Sequence, residues 1–193
     1  MVRRDDRCLR PCDTGHPRVK STGRSLLKWP VLFALCGALA FLPHCERKSK
    51  TQDSAPNFSL KSLQGQEISL ASLRGKVVLL DFWATWCAPC RQAIPHFVDL
   101  YKRHREKGFE VIGICVDKGD EEAVRRFTKT MDVPYPILMA PEEVTRSYGV
   151  TALPTTFLID PEGKIQEKVI GFNPKIAKEL EARVKELLSL EKP

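Results

Sequence analysis

A buried strand that leads into a pair of cysteines and then a helix is the feature that most restricts how this chain can fold. The run Val77–Trp83 is almost continuously apolar, which is typical of a strand covered on both faces of a sheet. Cys87 and Cys90 follow, and apolar residues then recur at the i, i+3, i+4 and i+7 spacing of an amphipathic helix. Those apolar residues are Ile94, Phe97, Val98 and Tyr101. This order of elements indicates a layered α/β domain.

Strand and helix patterns continue to alternate toward the end of the chain. Strands are predicted over 109–116, 135–139, Thr155–Ile159 and 164–170, and helices after Asp120, over 142–148 and over Pro174–Leu190. Two short strands, 58–60 and 67–70, are predicted before the first long strand. Asp160 and Gly163 occupy positions that a type I turn favours, so the last two strands form an antiparallel hairpin. We therefore predict an α/β fold with a central mixed β-sheet flanked by helices and an N-terminal β extension.

The start of the chain differs from the rest in charge. The net charge is +7, and residues 1–45 contribute +5 of it. The remaining residues are nearly neutral, so the predicted domain lacks the basic surface that nucleic-acid binding requires. We therefore predict no nucleic-acid partner.

An uncharged apolar stretch, 29–43, follows the basic segment. A bilayer crossing needs roughly 20 residues, but basic residues before an apolar stretch are typical of a signal peptide or a membrane anchor. Three outcomes stay open: cleavage at the small residues of 38–40, lipidation at Cys45, or an uncleaved anchor. The predicted division is a basic segment over 1–28, a signal peptide or membrane anchor over 29–45, a polar linker over 46–55 and the domain over 56–193.

The spacing of the seven cysteines indicates reversible redox chemistry. Four precede residue 46, which leaves the Cys87/Cys90 pair and the isolated Cys115 in the predicted domain. Free N–H groups and the helix dipole favour a thiolate at a helix start, so Cys87 is the predicted nucleophile. Cys90, one turn later, lies within disulfide reach and would resolve a mixed disulfide. Pro89 suits the first helical turn because no helix bond needs its missing N–H.

A zinc half-site is the alternative interpretation of the cysteine pair. A closed zinc site needs two further Cys or His ligands, and the candidates Cys115, His96 and His104 form no second close pair. We therefore predict no metal and no other cofactor. Cys115 is expected to be a small buried apolar residue, and His96 and His104 are expected to lie on a helix surface.

The residues around the cysteine pair resemble the thioredoxin superfamily, and most closely its exported TlpA/ResA-like branch. The resemblance rests on residues 55–58, 75–91, Pro95, 153–155 and Gly171, and its most specific part is the WATWCAPC sequence at 83–90. It implies a thioredoxin fold in which the Leu153–Pro154 bond is cis and lies beside the cysteines. It also implies that substrates bind at a small set of residues. These are Trp86, Ala88, Pro89, Leu153 and Pro154.

Asp81 is an acidic residue within the apolar run. A buried carboxyl group is unfavourable when ionised, so its pKa is expected to be raised. The resemblance implies that this acid assists proton transfer to and from Cys90. Exported reductive members often have a neutral residue here and a glutamate three residues after the second cysteine, where this chain has Ala93. An Asp81 that faces water at a strand edge is the alternative interpretation.

The leading hypothesis is a thiol–disulfide oxidoreductase that reduces protein disulfides through Cys87 and Cys90. An exported protein of this kind would work outside the cytoplasm, on the periplasmic side of a bacterial cell envelope. Its dithiol would be restored by a membrane electron donor of thiol–disulfide type. We expect a monomer that reaches the membrane through its N-terminal segment.

Two alternatives stay open. Residues 56–60 also suit the related thiol peroxidases, although Thr85 and Trp86 occupy the approach to Cys87, where a peroxidatic cysteine has a Pro-x-x-x-Thr/Ser-x-x-Cys setting. A non-catalytic binding domain would use the cleft around Trp86 and Pro154.

Overall fold

The computed structural model describes residues 54–190. The predicted basic segment 1–28, the predicted signal peptide or anchor 29–45 and most of the predicted linker lie outside the described residues. Residues 191–193 of the predicted domain also lie outside them. Within the described part, no helix combines the length and the apolar character that a membrane crossing requires.

The strands of residues 54–190 form a hairpin and a five-stranded mixed sheet. They are β1 (Ser59–Lys61), β2 (Glu67–Ser69), β3 (Val77–Trp83), β4 (Phe109–Cys115), β5 (Ile137–Met139), β6 (Thr155–Ile159) and β7 (Ile165–Ile170). The spatial order of the sheet is β5-β4-β3-β6-β7. β4 is parallel to β3 and β5, whereas β6 is antiparallel to β3 and β7. β3 is therefore central, and all of its residues are buried.

Helices cover both faces of this sheet. They are α1 (Ala88–His104), α2 (Glu121–Thr130), α3 (Glu142–Ser147) and α4 (Pro174–Leu190). α1, α2 and α4 pack on the face that carries Leu79 and Trp83. α3 packs on the opposite face, beside an aromatic cluster of Phe82, Tyr148 and Phe157 with ring centroids 5.1, 5.3 and 5.8 Å apart. The apolar sequence of β3 follows from this arrangement because neither face of the strand meets water.

Backbone hydrogen bonds attach the N-terminal extension to the sheet at two places. Leu63, after β1, donates its N–H to the Ile137 carbonyl of edge strand β5 at 2.8 Å. Ala55, the last residue of the predicted linker, donates to the Gly163 carbonyl in the β6–β7 turn at 2.9 Å. These bonds hold the extension against the domain at its start and at the turn between β1 and β2.

The predicted α/β fold with a central mixed sheet is confirmed, and the bounds of β3, β6 and α4 agree with the sequence patterns. The turn between the last two strands is also present, because the Gly163 N–H donates to the Asp160 carbonyl at 2.8 Å. β5 is shorter than predicted and begins at Ile137. The reason is Pro136, which has no N–H to extend the strand ladder.

A side chain at position 113 of β4 is expected to destabilise the fold. A Cβ atom on Gly113 would lie 2.5 Å from Ile137 Cδ1 and 3.0 Å from Trp83 Nε1. Both neighbours are buried in a close-packed core, so neither can move away freely. We expect Gly113→Ala to lower the free energy of unfolding by roughly 1–3 kcal/mol, measured as a lower urea midpoint at unchanged m-value.

Ile137→Val provides the matched control for this prediction because it removes the Cδ1 atom. Gly113→Ala should destabilise the Ile137→Val protein less than it destabilises the wild type. Equal losses in the two backgrounds would contradict the steric explanation.

Candidate active site

The end of β3 places Cys87 at the start of α1. The chain turns after Trp83, and the Cys87 N–H donates to the Ala84 carbonyl at 3.2 Å. Cys87 is the N-cap of α1, and Cys90 lies in the first turn. Their sulfur atoms form a disulfide, with Cα atoms 5.3 Å apart. Cys90 is fully buried and Cys87 is 5% exposed, so Cys87 is the cysteine nearer to solvent.

Backbone groups at the start of α1 favour negative charge on Cys87. The Cys90 N–H donates to Cys87 Sγ at 3.3 Å, a bond that a thiolate accepts more strongly than a neutral sulfur. No acidic residue stands in the first turn of α1, so no carboxylate there repels a thiolate at Cys87. Pro89 occupies that turn without loss of a helix bond. The local structure therefore supports an activated thiolate at Cys87 once the disulfide is reduced.

An open cleft of about 490 Å³ lies beside Cys87. Its lining residues are Trp86, Cys87, Ala88, Pro89, Val116, Thr145, Val150, Thr151, Ala152 and Leu153. Apart from the cysteine, none of these side chains is ionisable. Trp86 stands at the rim and is 68% exposed, which leaves a large aromatic surface in contact with water. An exposed apolar surface next to a reactive sulfur is typical of a site that binds another molecule.

The segment that leaves α3 forms one wall of the cleft. α3 ends in a Schellman motif, in which the Val150 N–H donates to the Thr145 carbonyl at 3.1 Å and the Gly149 N–H donates to the Arg146 carbonyl at 2.9 Å. Gly149 has φ +57°, a left-handed conformation that glycine adopts at little cost. The motif turns the chain sharply, so that Val150 and the residues after it face the start of α1.

A cis-proline loop completes this wall. The Leu153–Pro154 peptide bond is cis, as the resemblance implied. Leu153 lines the cleft, whereas Pro154 is buried and does not line it. The Gly171 N–H donates to the Pro154 carbonyl at 2.8 Å, and Thr155 Oγ1 donates to the Ala152 carbonyl at 2.7 Å. These two bonds tie the loop to the beginning of β6 and the end of β7.

Asp81 is buried beneath α1 in the middle of β3. It is 1% exposed, so the alternative interpretation of a water-facing strand edge is wrong. Thr156, its register partner on β6, donates from Oγ1 to Asp81 Oδ1 at 3.0 Å. Burial raises the pKa of Asp81 from 3.8 to about 7, against the lowering effect of the Thr156 hydrogen bond. Asp81 can therefore exist in both protonation states near neutral pH.

Cys115 is fully buried at the end of β4, as predicted. Burial raises the pKa of its thiol to about 12, so it is not a thiolate at neutral pH. Within residues 54–190, no group of three or more His, Cys, Asp or Glu side chains converges as a metal site would require.

The two histidines of α1 differ in environment. His96 Nε2 lies 3.0 Å from the Ala177 carbonyl in the first turn of α4. His104 is buried, so its predicted surface position is wrong. Its ring packs edge-on against Phe109, because α1 ends above the residue that begins β4. Burial lowers the pKa of the His104 imidazole.

The structure brings most of the predicted substrate-binding residues together. Trp86, Ala88, Pro89 and Leu153 line the same cleft as Cys87. Five further residues line the cleft that the sequence did not predict: Val116, Thr145, Val150, Thr151 and Ala152. The last three directly precede Leu153 in sequence, and that proximity was a usable signal. Val116 and Thr145 carry no local signal, since only the packing of β4 and α3 brings them to the cleft.

These features define a class of protein. A Cys-x-x-Cys disulfide at the start of a helix, with a cis-proline loop on a mixed sheet beside it, is the site of a thioredoxin-like thiol–disulfide oxidoreductase. The profile of the AhpC/TSA family matches residues 51–168. The chain belongs to this family.

Similar proteins carry names that agree with this class. A thiol-disulfide oxidoreductase ResA of Bacillus cereus is 39% identical over 154 residues, which are 77% of this chain and 88% of that protein. ResA of Bacillus subtilis (strain 168) is 35% identical over 159 residues, 79% of this chain and 88% of that protein. Among solved structures, a thiol:disulfide interchange protein of the thioredoxin family from Chlorobium tepidum TLS has a TM-score of 0.65 at 34% identity, covering 71% of this chain and 97% of its own.

Proposed function

We propose that this protein reduces disulfide bonds in other proteins through a Cys87/Cys90 dithiol–disulfide cycle. The observation that carries the proposal is the Cys87–Cys90 disulfide beside an uncharged cleft, with Cys87 nearer to solvent and Cys90 buried behind it. The names of the relatives, which are thiol-disulfide oxidoreductases, support the same reaction.

The cycle begins with the reduced pair. The Cys87 thiolate attacks one sulfur of a target disulfide, so that a mixed disulfide forms and the second target sulfur leaves as a thiolate that takes up a proton. Cys90 then loses its proton and attacks Cys87 Sγ, which releases the first target sulfur as a thiol. Two electrons pass from the protein to the target, and Cys87 and Cys90 end as the disulfide.

Asp81 is the proposed acceptor of the Cys90 proton. The carboxyl group lies on the face of the sheet that α1 covers, and its pKa of about 7 suits proton exchange at neutral pH. Ala93, three residues after Cys90, is buried and has no carboxyl group to offer. The acid in this site would therefore come from the strand and not from the helix.

The proposed location is the periplasmic side of a bacterial cell envelope. The apolar stretch after the basic residues 1–28 supports export or anchoring. A membrane electron donor of thiol–disulfide type would restore the dithiol, and the protein would act as a monomer held at the membrane by its N-terminal segment. Gel filtration of the exported form and fractionation of the cell envelope test these points.

The reduction potential tests the direction of electron flow. We expect the Cys87–Cys90 couple, equilibrated in glutathione buffers, to lie nearer to about −270 mV, the value of thioredoxin, than to about −120 mV, the value of a strongly oxidising relative. The dithiol would then donate electrons to most protein disulfides. A potential near the oxidising end of this range would contradict the reductase proposal and indicate a disulfide-forming enzyme.

A thiol peroxidase is the second candidate, which residues 56–60 and the match to the AhpC/TSA family favour. It predicts consumption of hydrogen peroxide by the reduced protein, faster than the reduction of insulin. A non-catalytic binding domain predicts neither reaction but would still bind unfolded protein in the Trp86 cleft. Insulin reduction without peroxide consumption would exclude both.

A further inference from the structure

Lys168 makes contacts that the redox chemistry does not use. It lies on the edge strand β7 opposite Phe157 in register, and its Nζ stands 5.2 Å from the centre of the Phe157 ring. The ammonium group donates to the Gly149 carbonyl at 2.9 Å and approaches the Tyr148 carbonyl at 3.4 Å. Lys168 therefore connects the sheet edge to the chain that leaves α3.

The carbonyl groups that Lys168 binds lie at the C-terminal end of α3. The last carbonyls of a helix carry partial negative charge, and a lysine that binds them stabilises the helix end. α3 has only six residues and therefore little stability of its own. A cation at its end is correspondingly more important for the position of the turn at Gly149.

The turn that Lys168 binds leads directly into residues 150–153, which form one wall of the cleft. Gly149 and Val150 close the Schellman motif, and Val150 is the first residue after α3 that lines the cleft. The other end of this wall is tied down by the hydrogen bonds of Ala152 and Pro154. Lys168 thus holds the end of the wall that those two bonds do not reach.

We propose that Lys168 is a positioning residue for substrate binding: by holding the Tyr148 and Gly149 carbonyls it sets the distance between the two walls of the cleft, which residues 150–153 and residues 86–89 form. This inference rests on the proposed function, because it assigns the cleft to a polypeptide substrate. Lys168 lines no part of the cleft and takes no part in the electron exchange. Its effect is confined to how well a polypeptide fits between the walls.

Replacement of Lys168 should raise the KM for protein substrates selectively. We expect Lys168→Met to raise the KM for insulin about two- to fivefold, the range that corresponds to loss of one charge interaction at a helix end, with kcat nearly unchanged. The rate with a small aromatic disulfide and the Cys87–Cys90 potential should not change, because a small molecule needs only one wall. Lys168→Arg should restore the wild-type KM, since a guanidinium can also donate to both carbonyls.

Two controls separate positioning from the loss of a surface charge. Lys178→Met removes an exposed positive charge from α4 and should leave the KM for insulin unchanged. A disulfide peptide without charged residues should show the same rise in KM with Lys168→Met. A rise only with acidic substrates would mean that Lys168 attracts the substrate directly and would overturn the proposal, as would an unchanged KM or an equal loss with Lys168→Arg.

Amide hydrogen exchange tests the inference without any substrate. In Lys168→Met, the Val150 N–H that donates to the Thr145 carbonyl should exchange faster than in the wild type, while the amides of α1 exchange as before. Unchanged exchange at Val150 would overturn the positioning role. If the wild type failed to reduce insulin, the proposed function would be overturned instead. Amide hydrogen exchange at Val150 would still decide whether Lys168 holds this turn.

Discussion

Cys87→Ala is expected to abolish the dithiothreitol-driven reduction of insulin, leaving only the rate of dithiothreitol alone. Cys87 is the N-cap of α1 and the solvent-side member of the disulfide, so no other described thiol can begin the exchange. Cys90 is fully buried, and burial holds the pKa of Cys115 near 12. The measurement is the onset of turbidity as the insulin B chain precipitates. Turnover above background in this variant would contradict the assignment of Cys87 as nucleophile.

Two further cysteine variants separate the roles of the sulfur atoms. Cys90→Ser keeps the nucleophile but cannot resolve, so it should accumulate a mixed disulfide with insulin that a non-reducing gel detects. Cys115→Ala is the matched control, because it removes the buried free thiol without touching the pair. It should retain wild-type turnover. Loss of turnover in Cys115→Ala with an intact fold would indicate a third redox thiol.

Asp81→Asn is expected to stabilise the protein above neutral pH. The pKa of Asp81 is raised from 3.8 to about 7 in the fold, so between these values the folded state holds a proton that the unfolded state has lost. Stability from this group is therefore complete below pH 3.8 and is lost as pH rises to about 7. The difference of about three between the folded and unfolded pKa of Asp81 corresponds to a loss of roughly 4 kcal/mol in the free energy of unfolding.

The measurement is urea unfolding of both proteins at pH 5 and at pH 8. Asp81→Asn lacks the titrating group, so its free energy of unfolding should change less between these pH values than that of the wild type. At pH 8 the variant should be more stable by roughly 2–4 kcal/mol. Thr156→Val provides a control, since loss of its hydrogen bond to Asp81 should raise the pKa of Asp81 further. The fall in the free energy of unfolding should then extend to higher pH than in the wild type. Equal pH dependence in wild type and Asp81→Asn would contradict a buried, titrating Asp81.

Asp81→Asn should also slow the attack of Cys90 on the mixed disulfide. A proton acceptor in an enzyme typically contributes a factor on the order of 10² or more, so we expect a loss of this size above pH 7, where Asp81 is ionised in the wild type. An unchanged rate across pH 6–9 would remove the proton role. Greater stability together with slower exchange would indicate that the buried charge is retained for chemistry at a cost in stability.

Much of the fold could be predicted from the sequence because its main strands are buried on both faces. The apolar run of β3 coincides with the observed strand, and the predicted bounds of β6 are also those observed. α4 shows its apolar stripe along its full length. The prediction was wrong where a non-local contact decided the environment. His104 has the sequence context of a solvent-facing residue at a helix end, yet it is buried and its ring packs against Phe109 of β4.

The reactive pair and its setting follow from local sequence. Cys87 and Cys90 are one helical turn apart, and an apolar strand before them with a helix after them places Cys87 at a helix N-terminus by local chain geometry alone. The cleft arises only when distant segments pack together, as do the hydrogen bond of Asp81 and the contacts of Lys168. Each of these depends on residues far apart in sequence: Thr156 donates to Asp81, the end of α3 faces the start of α1, and β7 carries the lysine that binds Gly149. Cross-strand hydrogen bonds and contacts between distant segments form only in the packed sheet, so no pattern within one segment contains them.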